Sequence, residues 1–395
     1  MSNLARLTVL FFVFISLLPF RSHAQWSLSQ INLAHQYNPG NEIDLMAQIV
    51  RKKDSTHTYL ALNIIDEEAQ LYDYGFDLFL INSVEEKLNA PLPKALIDST
   101  YLYSYANEHS FKLSLPSTQK KILVVKVKSY FSNFNFFYSF SLSSLNTTGF
   151  MLYYGKQPYI NKYFQKQFYS SPDTLHGYFY QHTFSPAIPP MVTRRDLPEK
   201  SIEIDSSFMI PAGKLFQLDR SGLYFFQKDT TKVNGKGFRL EHRYFPEPAT
   251  LSQLKEPLIY LLTKKERDHL EKINDKKSFD KFWLDMTRSA DKAKKIIKAY
   301  YNRVEQANIY FTTFKAGWKS DPGMIYIIFG PPDQVFKTET GEEWIYLAND
   351  KFPKIRFRFI KSENIFSPSH YALIRDQGYQ EVWFRAIDLW RKSRF

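Results

Sequence analysis

The sequence predicts a mainly β protein that ends in an α+β domain: two β-sandwich-like modules, then helices packed on a short antiparallel sheet. Three observations carry this. Short alternating or continuous apolar runs, broken by turn-forming residues, fill the first two thirds of the chain. Proline clusters punctuate the middle, and a 3.6-residue apolar period appears only after Pro246-Glu247-Pro248. At 395 residues the chain suits two or three domains, and 26 Tyr with 35 Phe and no Cys point to large aromatic cores closed without disulfides.

Residues 1–24 read as an export signal. Arg6 supplies a positive start, Leu7–Phe20 an apolar run, and Ser22-His23-Ala24 the small residues that a signal peptidase reads. The run is shorter than the roughly 20 residues needed to cross a bilayer, so cleavage after Ala24 is the expectation. Lipidation at a signal peptide requires a Cys, which is missing. No later apolar stretch reaches spanning length, which predicts an exported mature chain without a transmembrane helix.

Residues 25–147 predict an immunoglobulin-like sandwich, with strands at Glu42–Val50, Thr58–Ile65, Tyr74–Ile81, Phe111–Leu115, Ile122–Tyr130 and Phe136–Leu142. Within Ile122–Tyr130, Val124 faces one way and Leu123, Val125 and Val127 the other. That strand should be covered on both sides near its start. Residues 148–250 form a second β-rich module, in which Pro172, Pro186, Pro189, Pro190, Pro198 and Pro211 restrict strands to their ends. Phe208–Pro211 and Gly222–Phe226 are its expected core strands.

Residues 251–395 form the α+β unit. Helices are expected at Lys264–Ile273, at Ser278–Met286 with Ser278 as cap, and at Ala290–Phe311, the last packed against a sheet. The sheet is expected from four short strands in a meander, Met324–Phe329, Gln334–Lys337, Glu343–Leu347 and Ile355–Ile360, with Gly341 supplying a positive φ in a hairpin. Tyr379, Val382, Trp383, Ala386 and Trp390 then recur at helical spacing.

Within this unit, Phe282-Trp283, then Tyr300, Arg303, Val304, Ala307 and Asn308, and then Gly317, Trp318, Ser320 and Asp321 followed by Gly323, Tyr326, Gly330, Pro332, Asp333 and Trp344, resemble the signature segments of the GWxTD-domain proteins of bacterial cell envelopes. The resemblance covers about residues 279–347. Ser320 stands where the family has Thr, Pro322 replaces an Arg, and the family's Asp-Pro after the Phe-Trp pair is missing from Leu284–Ala290. The resemblance implies an envelope protein and no particular reaction, since no activity of the family is established.

Asp321 and Asp333 are the tempting catalytic pair. If a strand lies between them, they sit roughly 17–20 Å apart, beyond the roughly 5–9.5 Å that paired glycosidase carboxylates use. Turn-closing roles suit them better. Lys319 and Glu343 are further candidates for the enzyme reading. Nucleophilic chemistry has no support, because Cys is missing and no G-x-S-x-G elbow occurs. His176 and His182 lack a carboxylate at ligand spacing, so no metal is expected, and Lys214 lacks a phosphate-loop context, so no cofactor is expected either.

Charge is uneven: the chain carries a net +12, of which residues 251–395 hold +8. Lys354, Arg356 and Arg358 alternate with Ile355, Phe357 and Phe359, which makes a basic stripe able to hold phosphate or carboxylate groups, or simply to keep one sheet face in water. In an exported protein this points to an envelope protein partner or an anionic envelope polymer before nucleic acid. The readings that follow are a non-enzymatic interaction module, a glycan- or peptide-processing enzyme using the signature acids, and a polyanion-binding module.

Overall fold

The computed structural model describes residues 26–52, 55–116, 118–143, 147–193, 202–362, 364–367 and 369–394. The export signal and Pro198 lie outside the described residues. The chain is mainly β, with its helices gathered at the C-terminal end.

The first module is built from β1 (Ile43–Arg51), β2 (Ser55–Ile64), β3 (Tyr74–Ile81), β4 (Asp98–Tyr105), β5 (Glu108–Pro116), β6 (Ile122–Ser129) and β7 (Asn135–Ser141). They form a four-stranded sheet in the order β1-β2-β5-β4 and a three-stranded sheet in the order β3-β6-β7. Leu45, Leu60, Leu62, Leu78, Leu123, Val125 and Val127 fill the core between them. Strand β4 is not legible in the sequence, because as an edge strand of Ser, Thr and Tyr it has little apolar alternation to detect. Its Tyr101 and Tyr105 are exposed.

Strand β6 is buried on both faces, as its pattern requires. Leu123, Val125 and Val127 enter the sandwich core, whereas Val124, with Phe79 and Ile81 of β3, joins a second and larger core that belongs to the C-terminal unit.

The second module contains β8 (Tyr153–Tyr154), β9 (Gln157–Pro158), β10 (Tyr163–Phe164), β11 (Phe168–Ser170), β12 (Leu175–Tyr180), β13 (Ser206–Ile210), β14 (Phe216–Gln217), β15 (Gly222–Gln227) and β16 (Lys236–Leu240). Its sheets run β10-β16-β15-β12-β13 and β14-β11-β8-β9. Strand β15 is central, as expected. Strand β13 lies at an edge, and Met209 within it is exposed.

The C-terminal unit holds α1 (Leu251–Lys255), α2 (Lys264–Glu271), α3 (Lys276–Thr287), α4 (Ala290–Phe311), α5 (Asp321–Phe329) and α6 (Gln380–Arg391), with β17 (Gln334–Lys337), β18 (Gly341–Tyr346), β19 (Ile355–Lys361) and β20 (Tyr371–Leu373). The sheet is an antiparallel meander in the order β17-β18-β19-β20.

Three expectations fail here. Met324–Phe329 is a helix rather than a strand, and β20 takes its place in the sheet. The run Met-Ile-Tyr-Ile-Ile-Phe is apolar on every side, and a continuous apolar run cannot by its period distinguish a buried strand from a buried helix. Helix α3 is capped by Asp275, which accepts from the Ser278 N–H, so Ser278 lies inside the helix rather than at its cap. Gly341 does not adopt a positive φ. Contact requires its small size instead, since a Cβ there would lie 1.9 Å from the Phe359 carbonyl oxygen across the β18–β19 pair.

The β17 edge of this sheet is covered. Along β17 runs the segment before β1: Leu33 donates its N–H to the Val335 carbonyl at 2.8 Å, and Val335 donates to Asn32 Oδ1 at 2.9 Å. Tyr37 completes this strap, its hydroxyl donating to Glu342 and its carbonyl accepting from Tyr326. The other end of the strap is held on the sandwich, where His35 is ringed by Phe134, Phe136 and Tyr138 and burial lowers its pKa to about 4. Residues about 300 positions apart in the chain therefore share one core, and the strap leaves the β17 ladder closed to unwanted pairing.

Candidate functional site

The signature turn forms where α4 ends. Gly317–Lys319 makes one tight 3-10 turn, and Ser320, in extended conformation, caps α5. The Ser320 hydroxyl accepts from the Gly323 N–H at 3.0 Å and donates to the Gly317 carbonyl at 2.6 Å, so the Thr-to-Ser departure keeps both bonds. Pro322 fits the first helical turn because the N–H it lacks has no partner there. The helix ends at Gly330, whose φ of +87 suits glycine.

Gly317 is required by packing. A Cβ on it would lie 1.9 Å from the Ala307 carbonyl oxygen, so the turn can press against α4 only with no side chain. Trp318 is buried at 7 % exposure; its N–H donates to Asn308 Oδ1 at 3.1 Å and its carbonyl accepts from the Tyr260 hydroxyl at 2.9 Å.

The two acids perform structural tasks. Asp321, 8 % exposed, accepts from the Leu373 N–H at 2.8 Å and from both terminal nitrogens of Arg375, the shorter bond being 2.5 Å. It thereby ties the N-terminus of α5 to the free edge of β20, and a carboxylate in the first helical turn is also favoured by the helix dipole. Asp333 is exposed and accepts from the Leu347 N–H at 2.7 Å, closing the β17–β18 pair. A nine-residue helix of about 13 Å separates them in place of the expected strand, and each carboxylate serves a different partner. The structure does not bring them together as a catalytic pair.

The earlier signature segments converge on the same helix. Arg303 donates to the carbonyls of Ile327 and Ile328, each at 3.1 Å, which satisfies the last turn of α5, and its guanidinium lies 4.8 Å from the Trp390 ring centre. Trp390 also donates to the Ile328 carbonyl. Asn308 bridges Trp318 and the Pro246 carbonyl, and the Tyr300 hydroxyl donates to the Pro257 carbonyl at 2.6 Å. Tyr326 and Trp344 are buried, Pro332 is buried beside the exposed Asp333, and Glu343 pairs with Arg356 at 3.1 Å. The signature is thus a set of fasteners around one apolar helix, since helix α5 is buried all round and depends on its ends for polar satisfaction.

Sequence reasoning missed two partners. Arg375 has no spacing relation to Asp321, from which it is separated by 54 positions. Glu342 is 3 % exposed and accepts from Lys337 at 2.5 Å, Trp344 Nε1 at 3.0 Å and the Tyr37 hydroxyl. Burial would push the Glu342 carboxyl up and the Lys337 amine down, but their mutual attraction and hydrogen bonds prevail, holding Glu342 below and Lys337 above their ordinary values. Alternation in β18 places Glu342 beside Trp344 on the core face, the one signal that could have found it.

Two concave surfaces adjoin these elements. One, of about 360 Å³, is bordered by Lys354, Arg356 and Arg358 together with Asp376, Tyr379 and Glu381. The alternation of β19 is as expected, with its basic residues outside and Ile355, Phe357 and Phe359 inside. The other, of about 340 Å³, lies between the second β module and the signature turn and is lined by Trp318, Asn308, Lys315, Lys319, Phe184 and Phe245 among others. His182 lines this cleft, whereas His176 lies on β12; among the described residues no three His, Cys, Asp or Glu side chains converge as a metal site.

No helix among the described residues is long and apolar enough to cross a membrane. No curated protein and no solved structure matches the chain. The family model of the GWxTD domain matches residues 222–392. The match begins at the first residue of β15, so the family unit takes in β15 and β16 of the second β module as well as the helices and sheet that follow. Over residues 222–392 this chain is similar to the GWxTD domain.

Proposed function

We propose that this is an exported cell-envelope protein that acts by binding a partner rather than by catalysis. The observation that carries the reading is the commitment of Asp321, both of whose oxygens are held by Arg375 and the Leu373 N–H, and its separation from Asp333, which closes a different turn through the Leu347 N–H. A general acid or base must keep an oxygen free to exchange a proton with substrate, and a carboxylate clamped by a guanidinium in a buried turn is suited to holding structure. Export rests on the Arg6 and Leu7–Phe20 pattern in the sequence. Exposed aromatic side chains at Tyr72, Tyr130, Phe131 and Phe134 at one end of the sandwich favour a protein partner, since exposed apolar patches mark interaction surfaces.

The test is affinity capture from the native host with the tagged full chain, in membrane and soluble fractions. A defined envelope protein is the expected recovery; nothing above background in either fraction overturns the reading. A second reading, binding of an anionic envelope polymer, is favoured by the outward Lys354, Arg356 and Arg358 stripe and its 360 Å³ groove.

A further inference from the structure

The cleft beside the signature turn contains a cation whose surroundings are unusual. Of its basic side chains, Arg239 is bound to Glu241 at 2.6 Å and Lys319 lies 3.5 Å from Glu256 and over the Trp318 ring. Lys315 has neither a hydrogen bond from its amine nor an ion pair among the described residues. The charges that act on it are Asp321, Arg375 and Lys319. Asp321 is already clamped by Arg375, and the imidazole facing Lys315, His370, is held neutral by burial, its pKa lowered to about 4. The acids of the cleft do not compensate Lys315 either, because Glu241 and Glu256 serve the other two cations and Glu247 is exposed.

Burial pushes the Lys315 amine down, which is the response of an ammonium group that has lost water without gaining an anion. Phe184, Phe245 and Trp318 supply apolar wall in the same cleft, whose volume of about 340 Å³ falls in the range of small-molecule sites.

We propose that this cleft recognises a small anionic ligand, placing a carboxylate or phosphate group on Lys315 and an attached apolar body against Phe184, Phe245 and Trp318. The proposal rests on the binding-module reading and names the chemistry of one ligand. An anion completes the charge that Lys315 leaves open, and a charge-assisted hydrogen bond in a partly dry cleft is among the stronger polar contacts available. The recognition depends on residues from both sides of the junction, Phe184 from the second β module and Lys315 from the turn that follows α4.

The experiment titrates the purified full chain at low salt with benzoate and with phenyl phosphate, read by ligand-observed NMR. Binding of at least one probe is expected, with the Lys315→Met variant about tenfold weaker, or about 1.4 kcal/mol, and the exposed-site control Lys214→Met unchanged. Binding of benzoate alone identifies a carboxylate ligand, and binding of phenyl phosphate alone a phosphate one. No binding of either by the unsubstituted protein up to about 20 mM, a range that covers weak fragment affinities, overturns the proposal, as does equal binding by Lys315→Met. Should that variant fail to fold, amine acetylation of the unsubstituted protein mapped by mass spectrometry decides: the bound probe must slow labelling of Lys315, and unchanged labelling overturns the proposal. The titration needs no envelope partner, so its failure is distinct from failure of the affinity capture.

Discussion

The C-terminal unit handles charge in two opposite ways, and the contrast separates what its residues do. At Asp321–Arg375 and Glu342–Lys337 it buries ions, gives each a partner at 2.5 Å, and uses them to fasten elements distant in sequence. Along β19 and the residue before it, Lys354, Arg356 and Arg358 stay in water, opposite the buried Ile355, Phe357 and Phe359. A buried ion requires its partner, because removing one member strands the other out of water; an exposed ion is already solvated. The buried pairs therefore report on stability, and the stripe can be changed without touching the fold.

The largest effect is expected at the signature. Asp321→Ala leaves Arg375 buried without its carboxylate and frees the Leu373 N–H, and should cost about 3–5 kcal/mol in a urea melt. A variant that keeps its stability but loses partner capture would reverse the assignment and make Asp321 a functional acid.

The strand pair allows a sharper comparison. Lys337→Met alone should destabilise by about 3 kcal/mol, whereas Lys337→Met with Glu342→Leu should recover most of that loss, since replacing both buried ions by apolar groups is often close to neutral. Strict additivity in this double-mutant cycle would show that the two residues are not coupled.

A third pair, Glu266–Arg391, lies between the extremes, with both side chains about one third exposed. The hydrogen bond from Arg391 lowers the Glu266 pKa from 4.5 to about 2. A depressed carboxyl contributes its full stability above its unfolded pKa and loses it as pH falls through the folded value. Glu266→Gln should accordingly be less stable at neutral pH and show a flatter loss of stability between pH 4.5 and about 2; an acid limb identical to that of the unsubstituted protein would remove the pair from the ledger.

The smallest stability effect belongs to the stripe. Arg356→Ser with Arg358→Ser should shift stability by no more than about 0.5 kcal/mol per site, even though Arg356 touches Glu343. Retention on immobilised lipopolysaccharide at low salt should fall in this variant and vanish with added salt. Unchanged retention would end the polyanion reading while leaving the sheet as it is.

The sequence by itself determined the elements whose period is unambiguous. The strands Tyr74–Ile81 and Gln334–Lys337 and the helix Ala290–Phe311 have the bounds their patterns imply, and the two-sided apolar start of β6 correctly foretold cover on both faces. It also identified the signature, because those residues sit close together in the chain. Only the tertiary structure decided that Met324–Phe329 is a helix, since an element buried on every side has no polar face to reveal its period. Tertiary structure alone also brought Arg375 to Asp321, Tyr37 to Glu342 and Phe184 to the cleft of Lys315. Local sequence records the cost of burying an acid, but the partner that offsets it arrives through the fold from any distance along the chain.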